Sequence, residues 1–184
     1  MVASFRRARK GGVSVTFGVD ESRVLRHVLG EMVELLGTDA ADSADEDPLA
    51  VAVGIGTSTK APADPALARL FPDGYSDDPD ASADFRRYTE TGLRSTKLEA
   101  LQSALATVGE PGQHVTLTPE QAEAWLRALN DTRLVLGERL GITDEIEEVI
   151  ASLGEDDPRL ALFWVYDRLT YLQETLVQAL WSGP

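Results

Sequence analysis

The sequence predicts a mainly α-helical, bundle-like domain with a small N-terminal β-hairpin. Three observations predict it. Apolar residues recur at three- and four-residue spacing through most of the chain after residue 20, the mark of helices that bury one stripe. Asp-Pro occurs at 47–48, 64–65, 78–79 and 157–158. Each is a helix-start signal, because an Asp cap accepts from a free backbone N–H and Pro at the next position gives up an N–H that would be unpaired anyway. Residues 13–19 instead alternate apolar and small polar residues, the period of a half-buried strand. At 184 residues, 43% hydrophobic and 26% charged, a single domain over 1–184 is expected.

Residues 4–19 read as the hairpin. Val13, Val15, Phe17 and Val19 alternate with Ser14, Thr16 and Gly18, and Lys10-Gly11-Gly12 supplies the turn. His114–Leu117 is a candidate third strand, which would make a three-stranded sheet. Asp20 is read as the cap of a helix over about 21–36 whose stripe is Val24, Leu25, Val28, Leu29, Met32, Val33 and Leu36, with Gly37 as its stop. Residues 38–64 form a variable acidic, then Gly-, Thr-, Ser- and Pro-rich loop region, in which Asp47-Pro48 opens a short helix through Val53. Residues 65–181 are the main helical body, with helices at 65–70, 79–107, 119–140, 144–153 and 158–181. Thr118-Pro-Glu-Gln121 carries a capping box for the third of these, Thr143 caps the fourth, and Gly92 marks a kink in the second.

The charge is −14, from 17 Lys+Arg against 31 Asp+Glu. A surface so acidic does not coat nucleic acid or anionic lipid as a whole. The chain has no Cys and only His27 and His114. Thiolate zinc sites, iron–sulfur clusters, Cys nucleophiles and multi-histidine metal centres are therefore excluded or disfavoured. Gly54-Ile55-Gly56 lacks the context of a phosphate loop, and no G-x-S-x-G elbow occurs. No catalytic, cofactor-binding or metal-ligating residues are singled out. No apolar run is long enough to span a bilayer and no apolar region follows the N-terminal basic residues, so a cytoplasmic protein with no membrane partner is expected.

Four groups of residues are candidates for function. In the last helix, Leu162, Val165, Leu169, Leu172, Leu176 and Ala179 form a heptad-like seam, either one wall of a bundle core or a homodimer contact. Its opposite face, Leu160, Trp164, Asp167, Tyr171, Glu174 and Gln178, mixes aromatic and polar residues and is expected to meet another element, with helix 119–140 as the candidate. Arg133 interrupts the apolar stripe of that helix. A buried Arg must be paired, so Arg133, Asp167, Glu174 and Tyr171 read as an internal ion-pair network, with a polar ligand site or a snorkelling Arg as the alternatives. Arg87 and Arg94 would form an anion pocket if they converged with Arg133, and are otherwise separate surface ion pairs. Arg6, Arg7, Arg9 and Lys10 read as a nucleic-acid contact on a two-stranded ribbon or as charge that blunts an edge strand.

Several segments together resemble one family: Leu70-Phe-Pro-Asp-Gly-Tyr75, Phe85-Arg-Arg-Tyr88, Trp125-Leu-Arg-Ala-Leu-Asn-Asp131, Arg133-Leu-Val-Leu-Gly137 and Tyr166-Asp-Arg-Leu-Thr-Tyr-Leu-Gln-Glu174. They are similar to an actinobacterial AosR-like family of oxidative-stress transcriptional regulators, long catalogued as a domain of unknown function and often encoded beside the ClpS protease adaptor. The resemblance implies a non-enzymatic regulatory protein whose partner belongs to the transcription or proteolysis machinery. DNA binding through the hairpin, and a small-anion binder or enzyme built on Arg87, Arg94, Arg133, Asp167 and Glu174, are the alternatives. One departure matters: a thiol sensor needs Cys, so this chain does not sense through thiols.

Overall fold

Alternation at the N-terminus builds strands. In a computed structural model, which describes residues 2–8, 12–41, 59–143, 146–154 and 156–181, β1 is Arg6–Arg7, β2 is Val13–Thr16 and β3 is His114–Leu117. They form an antiparallel sheet in the order β1-β2-β3, with Arg6 opposite Ser14 and Val13 opposite Leu117. Val13, Val15 and Phe17 are buried while Thr16 is exposed, as the two-residue period requires. Gly12 adopts φ +77°, and a Cβ there would stand 2.3 Å from the Leu117 carbonyl oxygen. Lys10 and Gly11 of the expected turn lie outside the described residues.

Six helices follow among the described residues: α1 (Val19–Ala41), α2 (Pro65–Leu70), α3 (Pro79–Ala106), α4 (Pro119–Leu140), α5 (Ile146–Ser152) and α6 (Arg159–Trp181). Asp64 and Asp78 cap α2 and α3, each accepting from a backbone N–H at 2.9 Å. Asp157 accepts the N–H of Arg159 at 2.9 Å. Thr118 and Gln121 exchange the two bonds of the capping box, and α4 stops at Gly141 in the left-handed region, φ +63°.

Helix α1 departs from expectation at both ends. Asp20 is not its cap. It lies inside the first turn, where it pairs with Arg23 at 3.2 Å, and Glu21 Oε2 accepts the Gly18 N–H instead. Gly37 does not end the helix either, because its φ is not positive and α1 runs on to Ala41. Arg94 holds the carbonyl of Leu36 at that point. Similarly α3 is continuous across Gly92. The short helix expected after Asp47-Pro48 and the first residues of the 144–153 helix lie outside the described residues.

Helix α4 is central, packing against α1, α2, α3, α6 and β3. Its Trp125 is fully buried, with ring centroids of Phe5 and Phe17 at 5.5 and 5.6 Å. The indole N–H, which would be costly to bury unpaired, donates to Thr107 Oγ1 at 2.8 Å. This side chain is one of the ties between the sheet and the helices.

Two stability outcomes follow. Trp125→Ala removes the largest buried side chain and should cost about 3–5 kcal/mol, read as a lower urea midpoint. Gly12→Ala should cost about 1–2 kcal/mol or more, because a left-handed non-glycine residue is strained and its Cβ meets backbone. A midpoint unchanged in either variant would contradict the packing described.

Candidate functional site

The most tightly built surface feature is the turn before α3. Arg86 is only 4% exposed. Its Nη1 donates to Glu90 Oε2 at 2.6 Å, and Nη2 donates to Asp73 Oδ1 at 2.7 Å and to the Phe71 carbonyl at 3.0 Å. Glu90 also accepts from Arg94 at 3.2 Å, and the Arg94 guanidinium lies 4.5 Å from the Phe71 ring centroid. Burial opposes the Arg86 charge, but the hydrogen bonds and fields of Glu90 and Asp73 outweigh it and hold its pKa above an arginine's ordinary value. The turn is fastened again by Ser82, whose Oγ donates to the Tyr75 carbonyl at 2.6 Å and accepts the Tyr75 N–H at 3.0 Å.

What this clamp presents is aromatic. Tyr75, Phe85 and Tyr88 are 53%, 45% and 60% exposed. Tyr75 and Phe85 meet edge to face with centroids 6.1 Å apart. Gly74 is needed there, since a Cβ would come within 2.6 Å of the Phe85 ring. Asp77, Asp78, Asp80 and Asp84, all exposed, lie along the chain between Tyr75 and Phe85. Aromatic side chains held rigid by a buried network bind at low entropic cost.

The residues singled out from the sequence fall elsewhere or pair differently. Arg133 does not pair with Asp167, Glu174 or Tyr171. It donates to Thr170 Oγ1, Gln173 Oε1 and Tyr166 OH, because positions 166, 170 and 173 form the side of α6 that faces α4. Asp167, Tyr171 and Glu174 lie roughly a quarter turn further round and are exposed. The face of Trp164, Asp167, Tyr171, Glu174 and Gln178 is accordingly turned to solvent rather than to α4, with Trp164 52% exposed. Leu169, Leu172, Leu176 and Ala179 of the seam are buried in the chain's own core, while Leu162 is exposed, so that seam is not a free surface for a second copy.

Neither Arg87 nor Arg94 lines the cleft beside Arg133. Arg94 is matched by Glu90, and the buried arginine at this place is Arg86, which the sequence reading passed over. The spacing Arg86, Glu90, Arg94 was the available signal, since residues four apart share a helix face. Arg6 and Arg7 are exposed on the edge strand, and Arg9 and Lys10 lie outside the described residues. Among the described residues no group of three metal-ligating side chains is present, and no helix is long and apolar enough to cross a membrane.

Residues 2–180 match the family model described as a domain of unknown function, DUF2017. Relatives in Mycobacterium tuberculosis and Mycobacterium bovis, each named oxidative stress regulator AosR, are 37% identical over 174 residues, covering 87% of this chain and 78% of theirs. A Mycobacterium leprae relative is 35% identical over the same length. No solved structure matches the chain.

Removing Arg86 costs the buried Glu90 one of its two cations and empties the space the guanidinium filled, while Arg94 still pairs with Glu90 and Asp73 is solvated, so Arg86→Ala should cost about 2–4 kcal/mol. Arg133→Ala breaks bonds to neutral acceptors only and should cost about 1–2 kcal/mol. Chemical unfolding of the two variants checks the order, and equal losses would refute it.

Proposed function

The chain belongs to the DUF2017 family, and from that premise we propose that it is a non-enzymatic regulator that acts by docking a protein partner on the Tyr75–Phe85–Tyr88 platform. The observation that carries this reading is the Arg86 clamp: a buried arginine and two carboxylates fasten the turn that carries Tyr75 to α3, whose Phe85 and Tyr88 are likewise exposed. Relatives named as oxidative stress regulators support a regulatory role. The acidic rim sets the partner's chemistry. Asp77, Asp78, Asp80 and Asp84 favour a basic surface with apolar or cationic side chains that stack on the rings, as a component of the transcription or proteolysis machinery could offer. In a chain without Cys, the oxidative signal arrives through that partner.

A second reading is DNA contact by the hairpin, favoured by the exposure of Arg6 and Arg7. It has two described charges against a strongly acidic chain, and the short edge strand suffices to explain them.

Phe85→Ala with Tyr88→Ala should leave the fold intact and abolish both partner recovery and the stress response in the native host. Arg6→Ala with Arg7→Ala should leave both unchanged. Retained regulation in the aromatic variant, or its loss in the arginine variant, would transfer the function to another surface.

A further inference from the structure

We propose that the cleft beside Arg133, between α4 and α6, binds a small organic carboxylate. The cleft has a volume of about 370 Å³, within the range of small-molecule sites. Arg133 and Tyr166 supply polar groups, Leu134 and Ile142 an apolar wall, and Arg69 and Glu138, which neutralise each other in an ion pair, also line it with Thr143.

Arg133 carries an unmatched charge. The half-buried Arg133 donates from Nε to Thr170 Oγ1 at 2.9 Å, from Nη1 to Gln173 Oε1 at 2.8 Å, and from Nη2 to Tyr166 OH at a long 3.4 Å. All three acceptors are neutral, and no carboxylate among the described residues lies within ion-pair distance. Other cations set into helix interfaces are matched: Arg86 and Arg94 by Glu90, Lys97 by Asp131 at 2.9 Å, and Arg168 by Glu21 at 2.6 Å. The nearby Glu138 is engaged by Arg69 at 2.9 Å. In a chain with 31 acidic residues against 17 basic ones, leaving an interface arginine to neutral oxygens departs from the pattern, and a partly desolvated charge gains most from an incoming counter-charge.

The geometry narrows the ligand. Thr170, Gln173 and the Tyr166 ring, whose centroid is 5.3 Å from the guanidinium carbon, hold the group in one orientation. A guanidinium has more N–H donors than these acceptors take, so Nη1 and Nη2 each keep one for a ligand. Two N–H groups at the end of a planar fork match the two oxygens of a carboxylate. Tyr166 OH accepts from Arg133 and keeps its own proton to donate. One uncompensated positive charge suits a monoanion, and Leu134 and Ile142 suit a short apolar body behind it.

The full-length chain, isotopically labelled, would be titrated at constant ionic strength with isovalerate, with isoamyl alcohol and with inorganic phosphate. The Arg133 side-chain Nε–H and the backbone amides of Leu134 and Ile142 would be followed by NMR. Isovalerate should give saturable shifts at these groups, and the alcohol none. Arg133→Lys, which keeps the charge but loses the fork, should weaken binding about tenfold or more. Tyr166→Phe, which keeps the ring, should weaken it several-fold and decides the matter if the lysine variant is misfolded. No saturable shift, an equal response to the alcohol, tighter binding of phosphate, or unchanged affinity in a folded variant would each overturn the proposal.

Discussion

Trp125 is the side chain on which the two parts of the molecule depend. A three-stranded sheet this small does not hold together alone in water, and it is anchored because Phe5 and Phe17 close on the indole. The indole N–H reaches Thr107 at the end of α3, so the same residue ties α4, α3 and the sheet. Glu21 and Arg168 make a second tie. Glu21 accepts from the Ala3 N–H at 3.2 Å and from Arg168 at 2.6 Å, and Arg168 also donates to the Ala3 carbonyl. These bonds join the start of α1, the N-terminal segment and α6.

Once the core is assembled, charge decides what the surfaces can do. The chain has far more acids than bases, and most cations drawn into interfaces find a carboxylate there. Arg86 is the deepest case. Its network stabilises no long-range packing comparable to Trp125; it fastens a turn. A buried, fully hydrogen-bonded cation with two carboxylates specifies geometry more than it adds stability, and here the geometry specified is that of exposed aromatic rings. Arg133 is the opposite case, positioned by neutral groups at the edge of a cleft. The two arginines differ in their partners, carboxylates for Arg86 and neutral oxygens for Arg133.

Membership of a family whose relatives are named oxidative stress regulators gives these surfaces a context. The three aromatic residues of the platform, and Arg133, Leu134 and Tyr166 of the cleft, lie within the segments through which the chain resembles that family. They are chemically different: one is aromatic with an acidic rim, the other a cationic slot with an apolar wall. A protein partner and a small carboxylate therefore do not compete for the same groups, and a regulator built this way could receive two inputs.

The sequence by itself determined the class of fold, the starts of α2, α3, α4 and α6, and which residues of the second strand face inward. Those depend on local physics: Asp-Pro and Thr-Pro-Glu-Gln satisfy the first free N–H groups of their helices, and alternation at 13–17 puts Val13, Val15 and Phe17 on one side. Two local signals failed. Gly37 carries a stop signal, yet the helix continues past it. Asp20 is a good cap by type, yet Glu21 reaches the free N–H. The choice of Arg86 over Arg87, the neutral coat of Arg133 and the exposure of Trp164 and Tyr171 were decided only by tertiary structure. A shift of one position in sequence turns a side chain by about 100° around a helix, and which side meets a neighbour depends on how whole helices pack, a quantity no single segment contains.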